Sequence, residues 1–451
     1  MKLGLGLMDI TPRVGVQMAG FGPFLNRVSD RVRDRLQAHA ALFDDNGSHF
    51  LLITCDLTGI PANIVAKIRA IICEAVPWLK PEEIMVESAH THSAPRVAIT
   101  EKDGGWGMAD GPYVEIFPWK VAQAGIDACN AERIEGTLSQ ALVECRHIGL
   151  NRVYDRDAPP LSEVLQPDWE PAHPELTDTK CRVIRFDDKD GNIKAFWAYF
   201  GCHPVVCCQR THALHGDYQG VAIHKIMAEN PGAQGFFLQG AEGDVNSGCV
   251  HKPEPSSIVA LDVFAERFAS AIRRGLAEAK PVTATPIRIV SKTFDFKTQT
   301  TLTREKLMEM KEEYEKLLHN PRATDSDPKV RMSMVLLNGV RFMLENYDKL
   351  HDTPIQAELQ CVRIGDMELF GCPFEVMQAI KNDVHAASKA PFPMLMSLCN
   401  GTYGYAPDNQ QLNNKSYASY TVPLIVKQFP YSDIHNELVK YLTEMDAELF
   451  G

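Results

Sequence analysis

No apolar run in this chain approaches the roughly 20 residues that a membrane-spanning helix needs, so no membrane anchor is expected. Positive charge is in deficit. The 46 Lys and Arg against 58 Asp and Glu leave a net charge of −12 and a pI near 5.7, which excludes nucleic acid and anionic membrane surfaces as natural partners. The 12 cysteines include no Cys-x-x-Cys pair, which removes a zinc ribbon and a thioredoxin-type redox motif. They are scattered, with only Cys207 and Cys208 adjacent, as in a reduced, cytoplasmic chain. There is no internal repeat and no low-complexity linker.

What is present is an ordinary globular composition, 45% hydrophobic and 23% charged over 451 residues, enough for one large or two medium domains. The first ten residues alternate leucine with glycine and then turn at Thr11-Pro12. That run is too short for a signal-peptide core, lacks a cleavage site, and reads as a first strand. Three hairpins are predicted, each with a turn signal between apolar arms. They are 36–43 with 50–56 around Asp45-Asn46-Gly47, 181–186 with 193–200 around Asp188–Asn192, and 355–364 with 367–370 around Gly365-Asp366. Helical periodicity marks 61–76, 113–131 with a kink near Pro118, 219–229, 257–279 and a segment from Glu375 to about Ala387. A polar loop is expected through Tyr417, and a last helix starts near Ser432. Charged helices at 303–318 and 328–350 read as an insertion over 300–352 within a single large domain, 1–451. Gly104-Gly105-Trp106-Gly107 reads as a flexible loop and 154–178 as an irregular surface excursion.

Chemistry-bearing residues recur at predicted strand ends. The apolar strand 84–86 runs into His90-Thr91-His92. In extended chain, residues two apart face the same side, so both imidazoles are expected to share one space. Taken alone, the pair fits two polar side chains on a surface loop equally well. His203 follows the strand 193–200, a glycine-rich loop at 240–248 follows 235–238, Glu375 follows 367–370, and Tyr403 and Tyr405 follow 393–398. Glycines at strand ends let backbone amides approach a ligand. Two imidazoles plus one carboxylate form the commonest catalytic zinc set. Asp217 fits either of two roles, orienting His203 or capping the helix that follows.

Seven short motifs then occur in order: Asp9-Ile10-Thr11-Pro12, Ser88-Ala89-His90-Thr91-His92-Ser93, Leu150-Asn151-Arg152, Cys202-His203-Pro204, Gly243-Asp244-Val245, Pro373-Phe374-Glu375 and the stretch 400–405. In this order they resemble the catalytic N-terminal domain of the neutral/alkaline (non-lysosomal) ceramidase superfamily. The resemblance implies an α/β fold of mixed β-sheets with flanking helices. It implies a zinc ion held by His90, His203, Glu375 and Tyr405, with His92, Arg152 and Tyr417 around the scissile amide. One departure concerns the glycine loop. Those enzymes read Gly-Asp-Val-Ser-Pro-Asn there with the serine counted as catalytic, and this chain places Asn246 at the serine's position. Two further departures are expected, the lack of an immunoglobulin-like C-terminal domain and of a secretion signal.

The expected function is therefore a zinc-dependent hydrolase that cleaves an amide (N-acyl) bond of a small soluble substrate through a metal-activated water. A metal-dependent esterase or lactonase would use the same site, and a non-catalytic binding protein on this fold is the reading from another class. His92 is the expected proton carrier, Arg152 and Tyr417 the expected donors to a developing oxyanion, and Asn246 the substrate-holding amide. Arg152 is also compatible with a structural ion pair, and Tyr417 with an ordinary surface position. A homo-oligomer is compatible with all of this.

Overall fold

The computed structural model describes residues 1–22, 27–97 and 109–450, so the loop expected around Trp106 lies outside the described residues. Eight strands define the larger sheet: β1 (Lys2–Asp9), β2 (Gln37–Asp45), β3 (Ser48–Cys55), β4 (Ile84–Ser88), β5 (Ile134–Glu144), β6 (Lys180–Asp188), β7 (Ile193–Phe200) and β8 (Gln234–Gln239). Their spatial order is β8-β7-β6-β5-β1-β2-β3-β4, with the short strand Lys280–Pro281 added on β5. The pairs β3–β4 and β7–β8 are parallel and the remaining pairs antiparallel. A second sheet holds β9 (Ile287–Phe296), β10 (Ile355–Ile364), β11 (Met367–Gly371) and β12 (Phe392–Met396) in that order, with β11–β12 parallel.

Strand alternation explains the layering. On β2, Ala38, Ala40 and Leu42 face helices α1 (Ala62–Ala75) and α2 (Gly111–Asn130). Ala41 and Phe43, on the opposite parity, face the second sheet and share a cluster with Trp197 and Phe236 of their own sheet and Val362 and Met394 of the other. The Trp197 ring stacks on Phe236 at 5.1 Å. Burying a large apolar side chain of this kind stabilises by roughly 1.5–3 kcal/mol, so the inter-sheet layer is a principal source of cohesion. Helices α3 (Asp217–Glu229) and α4 (Ser256–Glu278) cover another part of the first sheet, and α7 (Gln378–Ala387) and α8 (Ile434–Phe450) cover the second. The order of layers is helix, sheet, sheet, helix.

The alternating glycines of β1 have a steric cause. A Cβ on Gly4 would lie 2.2 Å from the Ala128 carbonyl oxygen, and one on Gly6 would lie 2.1 Å from that of Ala124. Helix α2 rests directly on the strand backbone there. Helices α5 (Arg304–Leu318) and α6 (Pro328–Glu345) pack on each other and on the segment around Leu424 through a small cluster of their own, with Leu307, Val340 and Met343 at its centre.

The observed hairpins follow the predicted arms and turns. Three local expectations differ. Glu375 does not open a helix; it forms a two-residue parallel pairing, Glu375–Val376 with Tyr405–Ala406, and α7 starts only at Gln378. The polar loop expected through Tyr417 contains a helical turn over Tyr417–Thr421. The excursion 154–178 carries two short helical turns, Leu161–Val164 and Pro174–Leu176.

Candidate metal centre

Strands β4, β7, β8, β11 and β12 deliver their following residues to one place. Asn400, just beyond β12, stitches its loop to β4: its Oδ1 accepts from the Val86 amide at 2.9 Å and its own amide donates to the Val86 carbonyl at 2.8 Å. Glu87 accepts from the Gln239 amide at 2.5 Å and ties β4 to the end of β8. With the frame held, His90 Nε2 stands 3.4 Å from Glu375 Oε2, and His203 Nε2 stands 3.1 Å from the same oxygen. His92 Nε2 lies 3.4 Å from His90 Nε2. All three histidines converge, but not by the extended-chain rule: His90 has φ +63°, so the left-handed bend turns the ring rather than strand alternation.

Each imidazole is oriented from behind. His90 Nδ1 donates to the Thr58 carbonyl and His203 Nδ1 to that of Glu242, both at 2.6 Å. A carbonyl can only accept, so each Nδ1 carries the proton and each Nε2 presents a lone pair. Two lone pairs and a carboxylate oxygen therefore point into one small space, with no donor between them among the described residues. Such a set demands positive charge. His90, although burial works against its charge, is raised by Glu375. Burial dominates at His203 and lowers it to about 4, against the pull of Glu375. Burial also disfavours the Glu375 anion, yet His90 and His203 hold it well below the usual carboxylate range. Two imidazoles and a carboxylate, each held by its neighbours, fit a zinc-type divalent cation.

His92 is half-buried, with its ring edge-on to Phe21 at 4.8 Å, and its Nδ1 has no hydrogen-bond partner among the described residues. Burial, then the neighbouring His90 and His203, push it well below the usual imidazole range. Gly20, at φ +89°, makes this packing feasible: a Cβ there would fall 2.4 Å from His92 Nδ1.

Tyr405 pairs in register with Glu375, its ring centroid 6.4 Å from that of His203. Arg152 lies over that ring at 5.2 Å and donates to the Gly243 carbonyl at 2.7 Å. Burial alone would lower the Arg152 guanidinium; the Tyr405 hydroxyl and Glu375 raise it instead. Arg152 also feels Tyr417, whose side is 54% exposed, so Tyr417 stands at the rim rather than inside. Asn246, 5% exposed, donates from Nδ2 to Asp157 Oδ1 at 3.1 Å and bridges to His203 through the backbone.

The glycine amides of the loop are engaged with the scaffold rather than held ready for a ligand. Gly240, Gly243 and Gly248 donate to the carbonyls of Phe200, Val376 and Ile148, so these amides serve to weld the loop to its neighbours. Asp217 neither caps its helix nor orients His203; its carboxylate accepts from the amides of Val206, Cys207 and Tyr218. The residue that sequence reasoning missed is Glu242. It is wholly buried, its ligand-type oxygen groups with His90 and Glu375, and among the described residues its carboxylate forms no regular hydrogen bond beyond a contact with the Ser397 side chain. Burial pushes its acid up to about 8, with Glu375 adding and His90 opposing. An acidic residue among the glycines that follow a buried strand was the available signal.

Fold and site together define a two-sheet α/β protein whose strand ends gather buried groups able to hold a metal ion. The chain belongs to the neutral/alkaline non-lysosomal ceramidase family, whose N-terminal model matches residues 1–247. Among solved structures, it is similar to the neutral ceramidase of Pseudomonas aeruginosa, at 18% identity over 99% of this chain and 74% of that one, with a TM-score of 0.75. A structure described as a ceramidase complexed with C2 aligns at 17% identity over 100% of this chain and 75% of that one, with a TM-score of 0.76. No curated protein matches. The family match includes His90, His92, Arg152, His203 and Asn246; Glu375, Tyr405 and Tyr417 lie beyond it.

Proposed function

We propose that this chain is a zinc-dependent hydrolase that cleaves an amide (N-acyl) bond of a small soluble substrate. The observation that carries it is the meeting of His90 Nε2, His203 Nε2 and Glu375 Oε2, three acceptors around one space, in a member of a ceramidase family. His90, His203, Glu375 and Tyr405 would hold the ion, which when bound supplies a Lewis acid and lowers the pKa of water to about 7.

The remaining chemistry belongs to the chain's own side chains. His92, beside His90 and with Nδ1 unpartnered among the described residues, takes a proton from the attacking water and delivers one to the leaving nitrogen. Arg152, kept charged beside Tyr405, donates to the oxygen that gains negative charge as the carbonyl carbon becomes tetrahedral. Tyr417 at the rim adds a hydroxyl donor once substrate covers it. Asn246 has its amide nitrogen committed to Asp157, which leaves its carbonyl oxygen to accept from a substrate N–H.

The preference for a soluble substrate is supported by the net charge of −12, which opposes approach to an anionic bilayer. The test is a screen of purified protein against short N-acyl amines, matched esters and lactones, and long-chain ceramide in vesicles, with metal content measured on the same sample. Hydrolysis of soluble N-acyl compounds that chelation abolishes and zinc restores is the expected result. Faster turnover of esters, or of vesicle ceramide, would overturn the amide or the soluble part of the proposal respectively.

A further inference from the structure

Behind the candidate metal centre, on the other side of Ala89, a second group of ligand-type side chains meets. His39 on β2, Asp56 just beyond β3 and His224 on α3 each bring one ligand atom within 4.8 Å of the others. They line a cavity of about 10 Å³ together with Thr54, a space that suits one water or one ion.

Two features separate this group from a chance cluster of polar residues. The first is His39: only 4% exposed, ring against Phe236 at 5.6 Å, with Nδ1 lacking any hydrogen-bond partner among the described residues. A buried imidazole nitrogen left unpaired is destabilising unless something occupies its lone pair or takes its proton. The second is Gln37. Its backbone amide donates to Asp56 Oδ2 and its side-chain oxygen accepts from His224 Nε2, both at 2.9 Å. That fixes the His224 proton on Nε2 and leaves Nδ1 with the lone pair, the outer-shell arrangement that metal-bound histidines use. Asp56 itself is 7% exposed, and among the groups acting on it only His224 offers positive charge.

We propose that His39, Asp56 and His224 hold a second divalent cation of the zinc class, separate from the one assigned to His90, His203 and Glu375. Two imidazole nitrogens and a carboxylate oxygen are the donor set that first-row dications prefer over calcium or magnesium. The site joins β2, β3 and helix α3, so its cation staples α3 to the sheet. It does not depend on the catalytic reading of the first site.

The test uses the full chain, stripped with a chelator and titrated with Zn²⁺ or Co²⁺. Wild type is expected to take up two equivalents. The His90→Ala/His203→Ala protein should keep one, with a Co²⁺ absorption spectrum of its own, and adding His224→Ala should remove it. His224 is only half-buried, so that variant is expected to fold; His39→Phe, which preserves the contact with Phe236, is the second probe. The proposal is overturned if the His90→Ala/His203→Ala protein binds no cation tighter than millimolar, or binds one that neither His224→Ala nor His39→Phe affects. If the first assignment is the faulty one, His90→Ala/His203→Ala leaves the count unchanged from wild type, while His224→Ala alone still lowers it by one.

Discussion

His203 Nε2 stands 3.1 Å from Glu375 Oε2 across 172 residues of sequence, and both atoms are acceptors when the imidazole is neutral. Such a contact is repulsive without a proton or a cation between the partners. Metal content should therefore track the ligand count. His90→Ala is expected to lower zinc retention at this centre by at least roughly 10-fold, since losing one of a few donors costs affinity the remainder cannot recover. Elemental analysis after dialysis decides; unchanged zinc at the centre would end the assignment.

The second expectation concerns the nucleophile. Ser247, one residue beyond Asn246, is wholly buried and its hydroxyl donates to the Cys249 carbonyl at 2.8 Å. A hydroxyl so engaged has no base to activate it, and serine catalysis requires one. Ser247→Ala should leave turnover of an N-acyl substrate within a few-fold of wild type. Asn246→Ala should slow it roughly 10²- to 10³-fold, the usual cost of one preorganised hydrogen bond. An acyl adduct on Ser247 in the mass spectrum would reverse the argument.

The legible parts of this chain are those governed by local rules. The hairpin around Asp45-Asn46-Gly47 announced itself because a positive-φ turn sits between alternating arms, and Asn46 and Gly47 both adopt positive φ. His90, His203 and Glu375 were legible as strand-end residues, but their meeting was implied only by resemblance, since no spacing rule spans such separations. What escaped was non-local. Glu375 looked like a helix start because an apolar repeat follows it, whereas its backbone is claimed by Tyr405 from a later loop. The His90 ring reaches the site through a left-handed bend that an alternation rule cannot anticipate. Glu242 was hidden inside a loop whose glycines drew the attention, although those glycine amides turned out to serve the scaffold.

Stability should decline with alkaline pH through a group remote from the site. Glu368 on β11 is fully buried, and burial first, then the nearby Asp446 of α8, raises its acid from 4.5 to about 9. The folded chain keeps this proton while the unfolded chain releases it near pH 4.5, so the contribution is complete below that pH. It is then lost progressively up to about pH 9, at no more than about 1.4 kcal/mol per pH unit. Glu368→Gln, which cannot ionise, should flatten denaturation midpoints between pH 5 and 9. A mutant profile as steep as that of wild type would show that another group is responsible.

Glu242 provides the sharpest test of the centre's charge. Its carboxylate groups with His90 and Glu375 and, among the described residues, has only a contact with the Ser397 side chain to offset its burial, so it brings a second acidic group to a place that already holds one. In a chain built only for packing, a buried, unsatisfied carboxyl is a cost with no return. Beside a dication it is an asset, because a nearby anion strengthens cation binding in a low-dielectric interior. Glu242→Gln keeps the shape and removes the charge. It should weaken zinc affinity about 10- to 100-fold, the range found when outer-shell partners of a metal are lost. By linkage, the melting advantage conferred by saturating zinc should shrink by about 1.4–2.7 kcal/mol, while the chelator-treated variant melts close to chelator-treated wild type. Competitive titration against a chromogenic chelator, run beside thermal denaturation, separates these quantities. Equal zinc affinity in the two proteins would make Glu242 a bystander; a fall in both affinity and apo stability would make it a packing residue.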